Sequence, residues 1–195
     1  MSVRLGIDAS QSVASCAIST DMGIIASATM ERAIENFPTL IRNVVARANI
    51  SLEDIDEIVV CTGPGSQTGI RTAVVTGNAL ALALNKPVSG VLSTDAAAVI
   101  SKSEESCKVA VSAGRRRWFT GDYSWENDKL NRMDSIKLVD DLPADMSPSF
   151  YGAEDISADH KNCAYGVLMI AEQQRHLILQ LMLDEIRPYE FDDQR

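Results

Sequence analysis

Apolar residues in the first hundred positions come in short runs parted by polar or glycine-bearing turns. Runs at 3–8, 13–19 and 23–28 have the spacing of an antiparallel meander. The period then changes. Phe37, Ile41, Val44, Val45 and Ala48 share one helical face, which predicts a helix over 37–48. Asn36 is its expected N-cap, and Pro38 falls in the first turn, where a missing N–H costs little. Ser51 and Asp54 suggest a capping turn, and 57–62 reads as a buried strand. A glycine-rich segment, 63–69, leads into a helix over 70–84, with Pro87 as its stop and a strand over 87–92. Strand, turn, helix, strand is a crossover unit, so this part of the sheet is expected to be parallel.

The second half is less regular. Strands are expected over 108–112 and 118–125, with Arg115, Arg116 and Arg117 in the turn between them. A polar, proline-bearing loop covers 140–148, and 149–152 reads as a short strand. The last long periodic segment predicts a helix over 164–183, packed through Ala164, Val167, Leu168, Ala171, Ile178, Leu181 and Met182. The acidic stretch 187–195 is expected to be partly mobile.

Composition narrows the class. At 195 residues the chain is long enough for one medium domain or two small lobes without disulfide or metal staples. Lys and Arg total 18 against 27 Asp and Glu, a net charge of −9, so a polyanion would be repelled unless a local patch or a partner supplied the contact. No apolar run approaches the roughly 20 residues that span a bilayer, so no membrane contact is expected, and the start lacks a signal-peptide layout. A cytoplasmic protein is the expectation. Cys16, Cys61, Cys107 and Cys163 are widely separated, as reduced, core-filling thiols would be.

Few segments carry chemistry. The loop Gly63-Pro64-Gly65-Ser66-Gln67-Thr68-Gly69 stands at a strand-to-helix junction. It could hold a phosphate on the helix amides, or it could be a tight turn shaped for packing. It lacks the Gly-Lys-Ser/Thr of a Walker loop. Asp8, followed by Ala9 and Ser10 at the end of the first run, could hold Mg²⁺ through water or simply cap turn amides. The helix over 70–84 is apolar on two sides: Ala73, Gly77 and Ala81 form a nearly bare face, with Val75, Ala79 and Leu82 opposite. Such a helix is buried within one chain or shared with a partner. Arg115 to Arg117 with Trp118 and Phe119 form a basic, aromatic-flanked cluster, either an RNA contact or a solvated hairpin. His160 and His176 are the only histidines and lie in no paired metal motif, so no metal site and no catalytic residue are assigned.

The segments Gly6-Ile7-Asp8-Ala9-Ser10, Gly63 through Arg71 and Pro87-Val88-Ser89-Gly90-Val91, in this order, resemble the bacterial TsaB (YeaZ-like) family. The likeness is concentrated in residues 4–100, with Arg187-Pro188-Tyr189 similar to the family's ending. Gln67 stands where the family usually has an aromatic, and Ser112-Ala113-Gly114-Arg115 replaces its Asp-Ala-Arg-Arg strand.

This resemblance implies an α/β, actin-like (Hsp70-type) fold of two RNase-H-like lobes, divided into 1–100 and a shortened 101–195. It also implies a non-catalytic scaffold for threonylcarbamoylation of the adenosine beside the anticodon in ANN-reading tRNAs. The implied partners are a TsaD-like catalytic subunit and a TsaE-like ATPase, with a homodimer when the chain is alone and tRNA met only through the complex. The implied partner interface takes Leu40, Ile41 and Val44 from the first helix and Arg71, Val75, Asn78, Ala79 and Leu82 from the second. No cofactor is expected on the chain alone, with ATP or ADP allowed at the subunit junction; Asp8, Ser10, Gly63, Gly65 and Ser66 are the cofactor-binding candidates. The alternative reading is a small actin-like ATPase or phosphotransferase built on the same Asp8 and loop.

Overall fold

A computed structural model describes residues 2–31, 36–101, 106–144, 146, 163–173 and 188. Strands β1 (Arg4–Asp8), β2 (Val13–Thr20) and β3 (Gly23–Glu31) form the expected meander. Helix α1 (Phe37–Arg47) follows, then a 3-10 turn at Leu52–Asp54, strand β4 (Glu57–Gly63), helix α2 (Gln67–Leu84) and strand β5 (Val88–Leu92). The sheet order is β3-β2-β1-β4-β5, antiparallel across β1 to β3 and parallel from β1 to β4 to β5, as the crossover unit requires.

Alternation along the strands sorts this sheet into two faces. Leu5, Ile7, Cys16, Ile18, Ile58 and Val60 pack against α1 and α2. Ala17, Val59, Cys61 and Val91 face the other way, toward α4 (Cys163–Gln173). Close approach of α4 is possible because position 6 is glycine: a Cβ there would sit 2.7 Å from Leu168 Cγ and 2.9 Å from the Ala164 carbonyl. Ala164, Val167, Leu168 and Ala171 are buried as the apolar stripe predicts; the rest of that predicted helix, the short strand at 149–152 and both histidines lie outside the described residues. The boundary at residue 100 stays a proposal, and α4 packs on the first sheet from beyond it.

A second sheet, β6 (Ser106–Gly114), β7 (Arg117–Glu126), β8 (Lys129–Arg132) and β9 (Lys137–Val139), is antiparallel throughout. Helix α3 (Ser93–Ile100) lies between the sheets, with Ala96 on the α4 side and Ala97 and Ala98 against Val109, Val111 and Tyr123. The apolar pattern does not announce α3. It is covered on all sides, and a helix with no solvent face shows no period.

Three local expectations are corrected. The Asn36 side chain makes no capping bond, so α1 starts on Pro38 geometry and backbone contacts alone. Helix α2 begins at Gln67 rather than 70, because Ser66 caps it through Gly69 N at 3.4 Å. It ends at Leu84 as expected, but its stop is Asn85 rather than Pro87: Asn85 adopts the left-handed conformation (φ 51°) that Asn tolerates, and Lys86 N closes onto the Ala81 carbonyl at 3.0 Å.

Candidate functional site

Asp8 and Ser10 close the carboxyl end of β1, beside the loop that leaves β4. This is where open α/β sheets usually bind ligands. The structure brings together the cofactor-binding candidates Asp8, Ser10, Gly63, Gly65 and Ser66, but packs them against one another. Ser66 N donates to the Ser10 carbonyl at 2.7 Å, and Ser10 N donates to Asp8 Oδ1 at 3.1 Å. A Cβ on Gly65 would collide with the Ser10 carbonyl, and one on Gly69 with the Ala9 carbonyl. These glycines let backbone meet backbone where the β1–β2 turn meets the start of α2. Gly63 (φ 100°) is in the region that favours glycine. The loop is packed as the tight-turn reading of its glycines expects.

Burial sets the electrostatics of this end of the sheet. The Cys16 and Cys61 thiols are both pushed up, first by burial and then by the Asp8 carboxylate. They stay protonated as core residues. Cys107, on β6, is pushed up to about 11 by partial burial and then by Asp122.

A second polar cluster, not singled out by the sequence, joins α3 to the second sheet. Tyr123 Oη donates to Asp95 Oδ1 at 2.8 Å, and Arg132 Nη2 reaches both oxygens of Asp95 at 2.7 and 2.9 Å. Burial, then the Asp95 charge, raises the Tyr123 phenol, so it remains a donor. Its members are 28 and 37 positions from Asp95, and no local spacing could have revealed it.

The partner-interface residues divide. On α2, Ala73, Gly77 and Ala81 face the sheet; Gly77 lets Val60 come so close that a Cβ would strike its Cγ2. The opposite face is open. Val75 is 67% and Leu82 85% exposed, with Arg71 and Ala79 also exposed and Asn78 half-buried. On α1 the expectation fails. Leu40, Ile41 and Val44 are 1%, 3% and 0% exposed, because the single apolar stripe of α1 is used up against β2 and β3. The outward side of α1 carries Arg42, Asn43, Ala46 and Arg47. Of these two helices, only α2 presents large apolar side chains to solvent.

Residues 10–162 match the family described as TsaD: tRNA N6-adenosine threonylcarbamoyltransferase. The chain belongs to this family. Among curated TsaD-family relatives, the tRNA N6-adenosine threonylcarbamoyltransferase of Rhizobium etli (strain CIAT 652) is 35% identical over 69 residues, which is 35% of this chain and 19% of the relative. The tRNA threonylcarbamoyladenosine biosynthesis protein TsaB of Bacillus subtilis (strain 168) is 33% identical over 82 residues, 42% of this chain and 36% of the relative. The matched segment thus spans about a fifth of that transferase. Among solved structures, YeaZ from Pseudomonas aeruginosa superimposes with a TM-score of 0.74 at 18% identity, covering 98% of this chain and 100% of that one. The TsaB (YeaZ-like) resemblance and the actin-like α/β fold expected from the sequence both hold.

Among the described residues, no helix is long and apolar enough to cross a membrane.

Proposed function

We propose that the chain is a non-catalytic scaffold in the biosynthesis of threonylcarbamoyladenosine on tRNA, pairing with a TsaD-like catalytic subunit through the outer face of α2. The observation that carries this reading is the line Arg71, Val75, Ala79, Leu82: one helical face, exposed, carrying two large aliphatic side chains. Two such side chains on one face, a helical repeat apart, make a surface whose covering releases water at a favourable free energy. The packed β4–α2 loop supports the scaffold role over the ATPase alternative, since Ser66 N is spent on the Ser10 carbonyl and Gly65 and Gly69 on close approach to Ser10 and Ala9.

On this reading the isolated chain self-associates through the same face, a TsaE-like ATPase joins the pair, and tRNA is met in the complex. ATP or ADP, if it binds, does so at the junction with the catalytic subunit. The setting is the cytoplasm.

Val75→Glu places a charge at the centre of this face without entering the core. Co-purification with the TsaD-like subunit should fall at least tenfold while the thermal midpoint of the isolated chain is unchanged. Undiminished pairing would refute the placement of the interface.

A further inference from the structure

Helix α2 serves the proposed association, but leaves unexplained the basic run Arg115-Arg116-Arg117 on an acidic chain. Arg115 and Arg116 occupy the two central positions of the β6–β7 hairpin, between Gly114 and its register partner Arg117. Both are left-handed, with φ of 53° and 64°, the geometry of a type I′ turn. Such turns favour Asn and Gly, and bulky side chains there are strained. The same sheet contains the comparison: the β7–β8 hairpin, closed by Glu126 and Lys129, places Asn127 and Asp128 at those positions with φ of 51° and 61°. One hairpin follows the local preference and the other departs from it with two guanidinium groups. Strain of this kind is kept where the side chains serve something other than the turn.

What they offer is charge at the tip of a β-ribbon. Arg115, Arg116 and Arg117 are all exposed, Arg116 at 88%. Its contact with Asp141 at 3.2 Å is between two solvent-exposed groups, and a stronger anion can displace such a pair at little cost. Trp118, half-exposed, adds an aromatic surface beside the cations. Closely spaced guanidinium forks suit phosphate oxygens, which they bind bidentately. On a chain of net charge −9 this short basic tip can bind a polyanion only as a local contact.

We propose that the Arg115–Arg116 hairpin tip contacts the phosphate backbone of RNA. This rests on the reading that the chain serves a tRNA-modifying assembly, but it uses a surface separate from the α2 face.

The test measures binding of fluorescein-labelled tRNA by anisotropy across a series of KCl concentrations, with the full chain alone and mixed with the TsaD-like subunit. Arg115→Asn/Arg116→Gly removes both cations and installs the residues that a type I′ turn prefers, so its thermal midpoint should hold or rise. Losing two phosphate contacts should flatten the slope of log K against log salt by about 1.4 to 1.8. Arg115→Lys/Arg116→Lys should keep most of that slope. Co-elution of the Asn/Gly variant with the TsaD-like subunit should be unchanged. An unaltered slope for the Asn/Gly variant, both alone and in the mixture, overturns the proposal. So does loss of co-elution with tRNA binding intact, which would assign the tip to an acidic protein surface. If the native chain fails to pair with the TsaD-like subunit, the scaffold reading fails, and the slope measured on the chain alone still decides the role of the tip.

Discussion

Arg4 Nη1 donates to Glu172 Oε2 at 3.0 Å, joining the first strand to a helix 168 positions later. The guanidinium is 2% exposed, and its Nε also lies 3.4 Å from Glu57 Oε2 on β4. A buried cation is tolerated only when carboxylates surround it, and here they come from separate elements. Arg4 therefore pins α4 to the end of the sheet where β1 and β4 begin.

Arg4→Ala should be among the most destabilising single changes, costing about 3–5 kcal/mol, since it leaves a void and carboxylates without their cation. Glu172→Gln should cost less, about 1 kcal/mol, because Glu172 is 45% exposed and Arg4 keeps Glu57. Urea denaturation of both variants checks the ranking. Equal losses would show that Arg4 acts through α4 alone.

Gly69→Ala tests the packed loop. Helix propensity by itself favours Ala over Gly by about 1 kcal/mol, so an open helix terminus would be stabilised. Here the new methyl meets the Ala9 carbonyl, which is backbone and cannot swing aside. A net loss of roughly 1–3 kcal/mol is expected from overpacking. A rise in thermal midpoint would mean that the β1–β2 turn and α2 stand further apart.

The Ser51–Asp54 turn predicts a pH effect. The Asp54 carboxylate accepts from Ser51 N and from Ser51 Oγ, each at 2.8 Å, and the backbone bond, then the hydroxyl, lowers its pKa below the ordinary 3.8. A carboxyl lowered in the folded state binds fewer protons there than in the unfolded chain. Its stabilising contribution is thus complete above the unfolded value and is lost as pH falls through the folded one. Asp54→Asn should reduce stability at neutral pH and make the fall of stability below about pH 3.8 less steep. Parallel curves for the two proteins between pH 2 and 5 would contradict the linkage.

How much was legible depends on where the deciding contact lies. Ser51 and Asp54 are three residues apart, so their bond is a local matter, and the turn forms as its residues suggest. The β4–α2–β5 unit was equally plain, because a buried run, a glycine turn and a helix leave one handed connection. The faces of α1 were not. Phe37, Ile41, Val44, Val45 and Ala48 share one apolar face, from which the resemblance drew partner contacts at Ile41 and Val44 together with Leu40, and only the position of β2 and β3 shows that these side chains are already covered.

From the sequence come the order of elements, the parallel crossover, the acidic charge and the two apolar sides of α2, all set by periodicity and composition along the chain. Which of those sides meets solvent was decided by the sheet, when Val60 filled the groove over Gly77 and left Val75 and Leu82 outside. The fate of the glycine loop was likewise settled by the β1–β2 turn folding onto it. Both outcomes depend on atoms brought together from distant positions, and packing of that kind carries no signature in the local order of residues.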